Sequence, residues 1–173
     1  MPPAAPLKRR TAALIYELLL AAAVGCVAAI PAGLAALLLN PVLPQLSSIA
    51  VSLILLAAWW LYFRLNWQKK GRTLPMKVWH IGLTDRHGRP PAMVQLRLRF
   101  VWACILWLFI PMLAYGVLQR WGQIPPKTAF GAALIWWLLP WGFALLNPDR
   151  QFLHDFLAGT RLTDTRPRKR NTP

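Results

Sequence analysis

Only five of the 173 residues are acidic, and one of them, Glu17, lies inside an apolar run that begins at Thr11. Six residues along a helix is about 9 Å. A carboxylate at that depth of a bilayer is costly and is by default a functional group with a partner to be named. Arg10, two helical turns earlier on the same face, is the first candidate partner, and Arg9 stands beside it. Arg64 and Arg99, at the ends of other apolar runs, are rivals. A carboxylate so placed can change protonation. As one half of a structural ion pair it would instead orient helices, because breaking such a pair costs more than the pair contributes.

A second group of chemically capable residues closes the chain. Asp149 to Thr160 places apolar residues at helical spacing (Phe152, Leu153, Phe156, Leu157), with Gly159 suited to a helix C-terminus. His154 beside Asp155 has the composition of a proton relay, although adjacent side chains on a helix diverge. No nucleophile with a base, hydrolase-type carboxylate pair, phosphate-cradling glycine loop or His/Cys metal cluster is present, so the sequence points away from an enzyme and toward no metal and no cofactor. Cys26 and Cys104 lie singly in apolar runs and imply no disulfide framework.

The elements that must position these residues follow from composition. With 57% hydrophobic and 14% charged residues and a mean hydropathy of +0.41, a water-soluble globule is excluded. Four segments, 11–39, 47–65, 100–118 and 129–146, meet the length condition for bilayer-spanning helices. The expected architecture is an all-α membrane protein with a basic cytoplasmic N-terminus (1–10), a membrane domain (11–162) and a basic disordered tail (163–173). The N-terminus imitates a signal peptide, but its apolar run is too long and carries Glu17.

Eighteen of the twenty Lys and Arg residues fall before the first span, from Arg64 at the end of the second span to Arg99, or after the fourth span, and only Arg120 and Lys127 fall elsewhere. Cytoplasmic segments hold the excess of cations, so both termini and the long connection 66–99 are expected in the cytoplasm. The same distribution accounts for the net charge of +15 without nucleic acid and implies contact with anionic headgroups. Within the connection, Val78 to Leu83 reads as a short extended segment, Asp85-Arg86-His87-Gly88 as a turn, and Gln95 to Arg99 as the start of a helix. In the first span Ala21, Gly25, Ala29 and Gly33 recur every four residues, a seam for close helix approach. Trp67, Trp102, Trp121 and Trp141 fall near span ends, where indole rings anchor. Trp136 and Trp137 lie deeper, and their N–H groups need acceptors.

Three blocks together resemble the RDD family of small bacterial membrane proteins, named for an arginine and two aspartates. Arg9 to Glu17 places Arg10 at the family's arginine and Glu17 at its first-helix aspartate. Gly71-Arg72-Thr73-Leu74-Pro75-Met76-Lys77 is similar to its G-x-T-x-G-K-x loop, making Gly71, Thr73 and Lys77 motif residues. Asp149 to Thr160 is similar to its closing signature and places the second aspartate at Asp155. Glu17 keeps the charge on a longer side chain, and Pro75 replaces a glycine. The resemblance implies a multi-pass protein of the bacterial inner membrane for which transport, including cation/proton exchange, is suggested. Four spans are few for an alternating-access transporter, which builds its site between repeats, so a homo-oligomer or a membrane partner protein is expected. The alternative is a non-transporting accessory protein that recruits or stabilises a partner complex.

Overall fold

The computed structural model describes residues 4–148 and 150–166. They fall into two compact units, Pro6–Gly82 and Leu83–Thr165, the latter also holding Ala4 and Ala5.

In the first unit, helix α1 (Leu7–Leu39) and helix α2 (Pro44–Lys70) are joined by a short turn, and both are long and apolar enough to cross a membrane. Pro44 stands in the first turn of α2, where its missing N–H has no intrahelical partner to lose. Nothing in Asn66–Lys70 breaks the helix until Gly71, whose φ of 60° ends it in the left-handed region open to glycine. A five-residue helix, α3 (Leu74–Val78), follows with Pro75 in its first turn, and the chain then enters strand β1 (Ile81–Asp85). The extended segment expected at Val78 therefore starts three residues later, because Pro75 opens a helical turn rather than preventing one.

The predicted seam of α1 is half used. The Trp59 indole of α2 donates to the Ala21 carbonyl at 2.9 Å, and its ring lies 3.6 Å from where a Cβ on Gly25 would stand. Further along, Ala28 and Ala32 are buried while Ala29 and Gly33 are exposed. A strict four-residue repeat advances about 40° around a helix at each step, so it drifts off the contact face.

The second unit contains α4 (Met93–Cys104), a π-helical segment (Ile105–Phe109) and α5 (Ile110–Arg120), which run on as one membrane-length helix. The fourth such helix is built from α6 (Pro126–Leu134), a 3-10 turn (Ile135–Trp137) and α7 (Leu138–Leu146). Pro111 has no N–H to give the Trp107 carbonyl its usual i+4 partner, and the backbone there widens into the π segment. The Trp137 indole donates to that carbonyl at 3.0 Å, which answers where one of the two deep indoles finds an acceptor. Trp121, at the end of the third helix, is exposed, as an interfacial anchor would be.

The connection expected over 66–99 is shorter, 71–92, because α2 continues to Lys70 and α4 begins at Met93. Its turn forms where predicted: Asp85 accepts the N–H groups of His87 and Arg89, both at 2.8 Å. Burial, which raises the Asp85 pKa, is outweighed by these two backbone bonds, so its carboxyl titrates below the ordinary range. After α7 come α8 (Leu153–Leu157) and strand β2 (Thr160–Asp164), which pairs with β1. Gly159, at φ 68°, ends α8 as expected. Ala5 N–H donates to the Leu162 carbonyl at 3.1 Å, and Ala4 bridges Thr163. Thr163 and Asp164, expected in the disordered tail, thus belong to a strand, while 167–173 and Asp149 lie outside the described residues.

In both units many large apolar side chains are exposed, among them Ile30, Leu37, Leu113 and Leu145, whereas Ala13, Ala129, Ala133 and Ala144 are buried. Small residues let helices approach while the large ones meet lipid.

Candidate functional site: two buried polar clusters

The acids singled out from the sequence sit in separate clusters, one in each unit. In the first unit Glu17 of α1 accepts a hydrogen bond from the Tyr62 hydroxyl of α2 at 2.9 Å and a short one from the Thr73 hydroxyl. Thr73 is almost wholly buried, and Glu17 is partly exposed. The local sequence explains the arrangement. Gly71 turns the chain out of α2, Thr73 stays extended at the head of α3, and Pro75 starts that helix. At the other end of α3, Arg9 donates to the Trp79 carbonyl at 3.0 Å. Arg10 is 2% exposed.

Other residues expected here go elsewhere. Arg64 donates to Gln68 on its own helix at 3.2 Å, and Lys77 lies on the exposed side of α3. Arg99, considered as a partner for Glu17, forms an ion pair with Asp155. Tyr62 is the residue that sequence reasoning passed over. A phenol within an apolar span, obliged to find a partner there, is the signal that marks it.

In the second unit Asp155 of α8 is 1% exposed and is held by Arg99 of α4, itself buried. The Thr160 hydroxyl lies 3.3 Å from both the Asp155 carbonyl and its Oδ1, and Arg99 donates to that hydroxyl at 3.3 Å. The end of α8 is closed by Gln95, which donates to the Gly159 carbonyl at 3.2 Å, and by Arg86, which donates to the Phe156 carbonyl at 3.2 Å. His154 Nε2 stands 3.8 Å from Asp155 Oδ2, and its ring stacks on Phe152. Burial first, and the Arg99 charge second, hold the His154 pKa well below its ordinary 6.5, so the imidazole is neutral at physiological pH. Among the described residues no group of three His, Cys, Asp or Glu side chains could hold a metal ion.

Four membrane-length helices, an acid within the first, and a second acid paired with an arginine below the fourth define a multi-pass α-helical membrane protein with ionisable groups in its interior. The RDD family profile matches residues 4–159, nearly the whole chain, and the protein belongs to that family. No curated protein and no solved structure matches it. The loop motif and the first-helix acid, 56 residues apart, meet through Thr73 and Glu17, whereas the closing signature supplies Asp155 and Thr160 to the other cluster.

Proposed function

We propose that this RDD family protein moves a cation or small solute coupled to protons, with Glu17 as the group that changes protonation, and that it is not an enzyme. The observation that carries this reading is the setting of Glu17, a partly exposed carboxylate within the first span that accepts hydroxyls from two other elements. A hydroxyl both donates and accepts, so Tyr62 and Thr73 can serve the carboxylate and the neutral acid alike. Arg10 tunes the acid, and Asp155 supports the cytoplasmic mouth. The working form is a homo-oligomer, or a complex with a membrane partner, in the bacterial inner membrane.

Cytoplasmic termini are part of the proposal. Backbone pairing of Ala5 with Leu162, and of β1 with β2, supports a common side for the N-terminal segment, the connection 71–92 and the segment after α7. The bias of eighteen of twenty cations toward those segments and the helix ends that adjoin them supports that side being the cytoplasm.

The test is proton movement driven by Na⁺, K⁺ or Li⁺ gradients in vesicles containing purified protein, with Glu17→Gln and Asp155→Asn beside the wild type. Flux that disappears in folded Glu17→Gln protein supports the reading. Silence from folded wild type under every gradient overturns it and leaves the accessory role. The sealed Arg99–Asp155 pair favours that second reading, since it resembles a structural bolt more than a conducting group.

A further inference from the structure

Helix α3 has two unlike faces. Pro75 and Met76 are buried, as is Thr73 just before them, whereas Leu74 and Val78 are 54% and 59% exposed. These two are four residues apart and so share one face. A loop helix surrounded by water would carry polar residues there.

Its position is constrained at both ends. Thr73 is bound to Glu17, the Trp79 carbonyl is bound to Arg9, and α3 therefore lies along the first three turns of the membrane-length helix α1. It also begins four residues after the last residue of α2, a second membrane-length helix. The exposed pair is thereby held at the height where a span ends. The charge around it has one sign: Arg64, Lys69, Arg72 and Lys77 occur with no acidic residue anywhere between Glu17 and Asp85.

We propose that α3 is a docking surface for the anionic headgroup layer of the protein's own bilayer, with Leu74 and Val78 entering the interface and Arg72 and Lys77 meeting lipid phosphates. Short amphipathic segments bind membranes in this way, by apolar burial together with attraction to anionic lipid. The inference rests on the chain spanning a membrane and not on transport, so a silent flux assay leaves it standing.

The experiment places an environment-sensitive fluorophore at Val78→Cys in a Cys26→Ala/Cys104→Ala background. The protein is reconstituted in nanodiscs of phosphatidylcholine alone or mixed with phosphatidylglycerol. The expected result is blue-shifted emission, quenched by lipids that carry a nitroxide near the headgroup, with the same behaviour at Leu74→Cys. Removing Arg72 or Lys77 as glutamine is expected to lower the enrichment of labelled phosphatidylglycerol about fivefold per cation. Water-like emission overturns the proposal. So does a shielded dye that lipid nitroxides fail to quench, which would mean that a second copy or another protein covers this face. Unchanged phosphatidylglycerol enrichment in the glutamine variants also overturns it. Thermal melts of each variant confirm that the fold is intact.

Discussion

In Leu83–Thr165 the acid Asp155 and the Arg99 that pairs with it are sealed from solvent, whereas in Pro6–Gly82 the acid Glu17, which has the hydroxyls of Tyr62 and Thr73 among its partners, stays partly exposed. The difference separates two uses of a rare residue. Protonating Asp155 would take the carboxylate charge away from a buried Arg99, which is expensive. The hydroxyl contacts of Glu17 tolerate either protonation state. One cluster is suited to holding helices together and the other to exchanging a proton. The indoles show the same contrast. Trp137 serves a carbonyl from which Pro111 has withdrawn the usual donor, while Trp59 adds a bond to the Ala21 carbonyl within a regular helix.

The largest effect should come from breaking the sealed pair. Asp155→Leu is expected to destabilise the protein by about 3–5 kcal/mol, and the double variant Arg99→Leu/Asp155→Leu to recover most of that loss; thermal unfolding in detergent measures both. Equal stability of the single and double variants would remove the distinction between the clusters. Next, Trp137→Phe should cost about 1–3 kcal/mol, because a carbonyl in an apolar span loses a donor, and Trp59→Phe about 1 kcal/mol. Hydrogen exchange around Trp107 should rise in the first variant only.

Glu17→Gln should lower stability by about 1 kcal/mol, the difference between hydrogen bonds to a charged and to a neutral acceptor, while removing flux completely. A large loss of stability here would make Glu17 a second structural bolt. The smallest effect at neutral pH concerns His154. Its folded pKa lies below 6.5, so the unfolded chain takes up a proton that the folded chain refuses. Stability should therefore be insensitive to His154 above pH 6.5 and fall as the pH drops from there toward the folded value, by at most about 1.4 kcal/mol per pH unit. Melting curves of wild type against His154→Gln across that window isolate the contribution, and identical slopes would exclude it.

Hydropathy and length alone located the four spans, because a bilayer imposes about twenty apolar residues on any helix that crosses it. Their ends were set less well: Asn66–Lys70 is polar yet continues α2, because helix continuation depends on the absence of a breaker and not on polarity, while α4 starts at Met93, two residues before the helix start expected at Gln95. Local chemistry also read true at the Asp85–Gly88 turn and at Gly159. It read less well at Val78, expected to open an extended segment but found closing the short helix that Pro75 starts.

Which polar groups meet was decided by tertiary structure. Glu17 is 45 residues from Tyr62 and 56 from Thr73, and Arg99 meets Asp155 across a similar distance in sequence. Periodicity constrains neighbours within one helix, and it placed Glu17 on α1 and Asp155 at the close of the chain. It carries no information on which face of another helix will stand opposite. That choice is made by packing, where Ala21 and Gly25 admit Trp59, and where Gly71 turns the chain so that Thr73 reaches back to the acid.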